Sequence, residues 1–146
     1  MSPDAFVLDA SVTASWLLPD EQSEPSDRVY AKLRASLVDA HAPDLWLWEC
    51  SNIIANGVKR ARITPEDGLL VWSVLDAVRT RVELATLQPA QTRACLTLAF
   101  DLGLSVYDAA YLWLAMSLKL PLLTHDERLA AAAARQSVRV LAVEDF

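Results

Sequence analysis

Glycine is scarce, with three residues in 146. A glycine-rich phosphate loop of the nucleotide-binding kind has no place in this chain. The two cysteines, Cys50 and Cys95, are too few for a disulfide scaffold or a thiolate zinc site. Both stand in apolar, helix-like contexts that suit core filling. Histidine occurs twice, at His41 and His125, so zinc would be short of its preferred ligands. No serine lies in a nucleophile elbow, which argues against hydrolases of that type. No apolar run has the length of a membrane span; the longest, Ala109 to Leu123, is interrupted by Ser117, Lys119 and Pro121. A secretory signal's basic start and long apolar core are missing, so the expected compartment is the cytosol. Basic residues are the minority: Lys and Arg number 13 against 19 Asp and Glu, for a net charge of −6. Such a chain does not hold nucleic acid mainly by a broad basic surface. A nuclease remains open, because carboxylates that gather cations count as negative in this tally.

Hydrophobic residues make up 53% of the chain, enough for one compact domain over residues 1–146. No repeat or linker divides it. Phe6-Val7-Leu8 is predicted as a buried strand closed by Asp9. An apolar segment runs on to Leu18, and Pro19 ends it. Asp20 to Ser26 reads as a loop, and Asp27 to Val38 as a helix from the spacing of Val29, Leu33 and Leu37. Asp44 to Arg60 is a long helix. Thr64-Pro65-Glu66-Asp67 has the form of a helix start. Val82 to Leu87 is a strand. Pro89 to Leu102 is a helix with Gly103 as its stop. Ser105 to Leu118 is a helix, Leu122-Leu123 a short strand, Asp126 to Arg135 a helix and Val138 to Val143 the last strand. The alternation implies an α/β fold, a parallel sheet between helical layers. Ligands in such folds bind beyond the carboxyl ends of the strands.

Four acids stand out by context: Asp9 after the first strand, Glu49 among Trp46, Trp48 and Cys50, Asp108 in Val106-Tyr107-Asp108-Ala109, and Asp126 after the Leu122-Leu123 strand. Each has a structural explanation. Asp9 suits a helix N-cap. Glu49 could lie on a solvated face. Asp108 forms a capping box with Ser105, and Thr124 with Glu127 forms another that leaves Asp126 in the first turn. Taken together they point further, because this topology can bring all four above one sheet edge. Like charges ~4 Å apart repel by roughly 4 kcal/mol per pair at an effective dielectric of about 20. A hard divalent ion relieves that repulsion and prefers oxygen ligands, so Mg²⁺ or Mn²⁺ suits the set better than zinc.

Val7-Leu8-Asp9-Ala10-Ser11, Glu49 with Asn52, Tyr107-Asp108-Ala109-Ala110-Tyr111, and Leu123-Thr124-His125-Asp126 with Leu129 follow in order along the chain. In this the sequence resembles the PIN-domain ribonucleases, and most closely the VapC toxins of bacterial toxin–antitoxin pairs. The resemblance implies a three-layer α/β/α domain with a central parallel sheet of four to five strands. It implies an endoribonuclease that cleaves RNA with Mg²⁺ or Mn²⁺. Asp9, Glu49, Asp108 and Asp126 match the acidic, metal-holding positions, with Ser11, Asn52 and Thr124 in support. It also implies homodimers and a VapB-like antitoxin that holds the nuclease inactive.

Other residues invite a role in gripping RNA. Lys59, Arg60 and Arg62 form the densest basic cluster, although cations at a helix C-terminus need no ligand. His125 adjoins Asp126 and could contact substrate. Trp46 and Trp48 stand just before Glu49 and could stack on bases, where core packing competes. Val12, Trp16, Leu17 and Leu18, with the helix from Asp67 to Val78, could line a groove for an antitoxin helix, or could be core. One rival is a PIN-like fold that has lost catalysis and only binds RNA or a partner. Another is a phosphorelay receiver or aspartate phosphatase. Against the phosphatase, Ser11 stands where a second acid would be required. Against the receiver, the only late lysine, Lys119, precedes the Asp126 strand.

Overall fold

The computed structural model describes residues 3–146. Five strands form one sheet in the order β3-β2-β1-β4-β5, and every neighbouring pair is parallel. They are β1 (Ala5–Leu8), β2 (Asp39–Pro43), β3 (Val82–Ala85), β4 (Leu122–Leu123) and β5 (Val140–Leu141). The helices are α1 (Ala10–Leu17), α2 (Glu24–Arg34), α3 (Leu45–Lys59), α4 (Pro65–Arg79), α5 (Pro89–Leu102), α6 (Val106–Leu118) and α7 (Glu127–Arg135). The result is the three-layer α/β/α arrangement expected of alternating strands and helices.

β1 is central. The chain winds outward through β2 and β3, then returns to lay β4 on the other flank of β1. The order reverses between β1 and β4, and at such a switch point the connections leave in opposite directions and open a crevice. Strands covered on both faces carry continuous apolar runs, and Phe6, Val7, Leu8, Leu122 and Leu123 are all fully buried.

β2 is a strand that the residue pattern did not reveal. Asp39-Ala40-His41-Ala42-Pro43 has no β-branched or aromatic residue. Its place comes from pairing on both sides, Phe6 opposite Ala40 and Ala42 opposite Leu84, and such pairing outweighs weak intrinsic preference. α2 also begins earlier than predicted. Ser23 accepts the Ser26 N–H, and Pro25 falls in the first turn, where its missing N–H is harmless. It ends at Arg34, so Leu37 is 67% exposed and Val38 leads into β2. α5 has its predicted bounds, and Gly103 closes it with φ 67°, ψ 33°, a left-handed conformation that glycine adopts without strain.

Cys50 and Cys95 are buried free thiols, as core filling requires. Trp46 is fully buried, its Nε1 donating to Thr13 Oγ1 at 3.1 Å, and so is not a base-stacking surface. Val12, Trp16, Leu17 and Leu18 are buried too. Of the groove considered for a partner helix, only the α4 side stays open, with Leu69, Leu70 and Trp72 exposed.

Candidate active site

The strand ends at the switch point carry Asp9 and the Thr124–Asp126 segment. Asp9 occupies the N-cap position of α1, yet its side chain caps nothing. Its Oδ2 instead accepts from Ser11 Oγ at 2.6 Å and from Thr124 Oγ1 at 2.8 Å. Each hydroxyl has a single proton, so both are committed to Asp9 and the 3.3 Å approach of the two oxygens is proximity only. Both hydroxyls also accept: Ser11 Oγ from the His125 N–H at 3.0 Å, Thr124 Oγ1 from the Asp126 N–H at 2.9 Å. The backbone adds Asp9 N–H to Leu123 O at 3.0 Å. The end of β4 is thereby tied to the end of β1 around one carboxylate.

Asp9 is only 6% exposed. Burial holds its carboxyl above the ordinary value; the Ser11 and Thr124 hydroxyls pull it back, and Asp126 pushes it further up. Asp108 lies in the first turn of α6, its N–H donating to Ser105 Oγ at 3.1 Å. Desolvation raises its carboxyl first, and the charges of Asp9 and Asp126 add to that. Glu49 projects from α3. Burial raises it as well, the nearby Tyr111 hydroxyl opposes, and Asp9 and Asp108 reinforce the rise. The four acids therefore share one field, contributed by α1, α3, α6 and the start of α7.

Glu49 Oε1 is buried without a hydrogen-bond partner, and so is Tyr111 Oη. Each perturbs the other's titration, but they fall short of hydrogen-bond geometry. An unpartnered buried oxygen costs roughly 1–3 kcal/mol, more when charged. Here it is an acceptor left over within a cluster of like charge.

The PIN domain family profile matches residues 6–135. The chain belongs to the PIN domain family. Among curated proteins it is similar to "Ribonuclease VapC3" of Pyrobaculum aerophilum, 29% identical over 129 residues, spanning 86% of this chain and 92% of that protein. Two solved structures share the fold. PAE2754 from P. aerophilum superposes with a TM-score of 0.73 at 20% identity, covering 96% of this chain and 84% of the other. FitAcB from Neisseria gonorrhoeae gives 0.68 at 16% identity, covering 94% and 97%.

In this PIN domain the remaining sequence candidates divide. Asp126 is a true helix cap, with Oδ1 accepting from the Arg128 and Leu129 N–H groups at 2.9 and 3.0 Å. The capping box read between Thr124 and Glu127 does not form, because the helix starts one residue past Asp126 and the Thr124 hydroxyl serves Asp9. Asn52 is exposed one turn beyond Glu49 and takes no part in these bonds. Lys59 and Arg60 end α3, both exposed. Arg62 is engaged by Asp20 and Glu21. His125 is exposed beside Asp126, while His41 pairs loosely with Glu83 at 3.6 Å on β3. Trp48 is 80% exposed. Tyr111 was not singled out in the sequence. Its spacing of three from Asp108 on one helix was the available signal, since residues so spaced share a face.

Four carboxylates with two supporting hydroxyls form an all-oxygen donor set, the chemistry of a hard divalent cation. The unpartnered Glu49 Oε1 fits the same description. No three acid, histidine or cysteine side chains among the described residues are arranged as a closed ligand group. Holding an ion there requires the carboxylates to draw together.

Proposed function

We propose that this protein is an Mg²⁺- or Mn²⁺-dependent endoribonuclease acting as the toxin of a toxin–antitoxin pair. The observation that carries the reading is Asp9: a buried carboxylate at the switch point, oriented by two hydroxyls and caught in the field of three other acids. It stands at an N-cap position yet makes no side-chain capping bond, and hydroxyls from α1 and from the end of β4 hold it instead. The ribonuclease named among its relatives supports the same chemistry.

Asp9, Asp108, Asp126 and Glu49 would hold the cation. When bound, it supplies positive charge against the carboxylates and the scissile phosphate. The protein's own contribution is positioning. Ser11 and Thr124 fix the rotamer of Asp9, and the backbone N–H groups of His125 and Asp126 fix those hydroxyls in turn. Such supporting bonds keep ligands pre-oriented. Glu49 Oε1 has no bond to lose, and its raised carboxyl suits it to take a proton from the attacking water.

For partners, the reading includes RNA as substrate, a homodimer and an antitoxin. The exposed Leu69, Leu70 and Trp72 of α4 are consistent with covering by protein. The deciding experiment is cleavage of total RNA with Mn²⁺ or Mg²⁺, with and without chelator, by the parent and by Asp9→Asn. Chelator-sensitive cleavage by the parent alone is expected. No cleavage by either removes the reading and favours a silent binding protein; equal cleavage by both means a contaminating nuclease or a wrong site assignment.

A further inference from the structure

A cleft of about 390 Å³ opens beside Asp126, lined by apolar Leu18 and Ile53 and by Ser11, Arg60, Arg62 and His125. Its cations differ in state. Arg60 has no ion pair among the described residues, whereas Arg62 is held by two acids through three hydrogen bonds. Arg62 Nε donates to Asp20 Oδ2 at 2.9 Å, and Nη2 donates to Asp20 Oδ1 at 2.7 Å and to Glu21 Oε2 at 2.6 Å. The two acids sit side by side on the short 3₁₀ turn Pro19–Glu21, more than 40 residues away in sequence. This is therefore a tertiary contact and not a local helix pair.

A guanidinium fork binds a carboxylate and a phosphate through the same two parallel N–H bonds. The contact is open to solvent, with side-chain exposures of 30% for Arg62, 56% for Asp20 and 41% for Glu21. Exposed ion pairs are worth little in general and a bidentate one somewhat more, so a phosphate that offers the same fork geometry can compete for this guanidinium. Glu21 also lines the cleft, so a phosphate entering beside Asp126 meets this pair directly. We propose that Arg62 is a reserve phosphate clamp: Asp20 and Glu21 occupy it in the free protein, and a phosphate of a bound RNA strand displaces them.

The proposal rests on the reading of the chain as an RNA nuclease and adds a specific exchange to it. The test is binding of a labelled single-stranded RNA in chelator, across a range of salt, for the parent, R62A, D20N/E21Q and all three changes combined. R62A should weaken binding roughly three- to tenfold and lower the salt slope by about 0.7, one phosphate contact on a single strand. D20N/E21Q should tighten binding by a similar factor when Arg62 is present, and most of that gain should vanish when it is not. An equal gain in both backgrounds means the two acids act only through the general field, and overturns the clamp. So does an R62A protein with unchanged affinity, or a parent that binds no RNA. If R62A does not melt cooperatively, R62Q keeps the aliphatic stem without the guanidinium and replaces it in the cycle. Cleavage by the parent in Mn²⁺ is scored separately. Loss of the clamp with cleavage intact leaves the nuclease reading standing, and binding that depends on Arg62 without cleavage removes only that reading.

Discussion

Replacing Asp9 by asparagine keeps the side chain's shape and removes one charge from the cluster, so it separates chemistry from folding. Two effects on stability oppose each other. The Ser11 and Thr124 hydroxyls now donate to a neutral oxygen, and since bonds to charged groups are worth roughly 1.5–3 kcal/mol against 0.5–1.5 for neutral ones, about 1–3 kcal/mol is lost. Relief of repulsion works the other way. Unit charges ~7 Å apart at an effective dielectric of about 20 repel by about 2 kcal/mol, and solvent around the outer partners at least halves that. Three acid neighbours then return about 1–3 kcal/mol. The terms nearly cancel, so without metal the melting temperature should stay within about 4 °C of the parent for a chain of this size. Cleavage should fall at least ~100-fold. A divalent ion at ten times its dissociation constant stabilises the folded state by about 1.4 kcal/mol, so Mn²⁺ should raise the parent's melting temperature by a few degrees and leave Asp9→Asn unmoved. Calorimetry with and without Mn²⁺, beside an RNA-cleavage assay, reads all three quantities. Cleavage within ~threefold of the parent, or a metal-free melting temperature lower by more than about 10 °C, would refute the reasoning.

Other expectations follow from the same geometry. Thr124→Ala removes one of the two bonds that orient Asp9, and cleavage should drop roughly tenfold with the fold intact; activity equal to the parent's counts against the orienting role. Asp9, Glu49 and Asp108 all have carboxyls raised above their ordinary values of 3.8 and 4.5, so the folded chain holds protons that the unfolded chain has released. Their stability contribution is complete below those ordinary values and is lost as pH rises through the raised ones. Asp20, lowered chiefly by its bond to Arg62, acts in the opposite sense and only below its ordinary value. The metal-free protein should accordingly lose stability as pH rises from just above those ordinary values toward neutrality, and a melting temperature that climbs steadily over that range contradicts this. Trp46→Ala should cost about 3–5 kcal/mol in denaturant melts, while Trp48→Ala should change stability by less than about 0.5 kcal/mol; similar losses from both would mean Trp48 is covered by a partner. Lys119 ends α6 at φ 56°, and Lys119→Gly should raise stability by about 0.5–1 kcal/mol, unless the lysine side chain holds that turn.

Much of this was legible in the residues. α5 begins at Pro89 and stops before Gly103 because proline fits a first turn and glycine a left-handed cap, both local rules. The acids were conspicuous for the company they keep: Asp9 after three apolar residues, and Glu49 directly after Trp46-Leu47-Trp48. β2 was not legible, since Asp39–Pro43 has no local preference for extension and takes its form from two neighbouring strands. The tryptophans of α3 could not be told apart either. Trp46 and Trp48 are two residues apart on one helix, about 200° around its axis, so one enters the core and the other faces solvent.

The sequence by itself determined the inventory: the alternation of strands and helices, the bounds of a locally signalled helix such as α5, and that oxygen donors, not thiolates or imidazoles, would form any metal-binding set. Those properties depend on side-chain chemistry and on neighbours within a few positions. Only the tertiary structure decided what each charged group is for. Asp9 makes no side-chain capping bond; its carboxylate is held between Ser11 of α1 and Thr124, which β4 brings from 115 positions away. Asp126 remains a cap, and Arg62 faces acids from another turn of the chain. A charge's partners are fixed by distance in space, and sheet order, which no local pattern encodes, sets that distance.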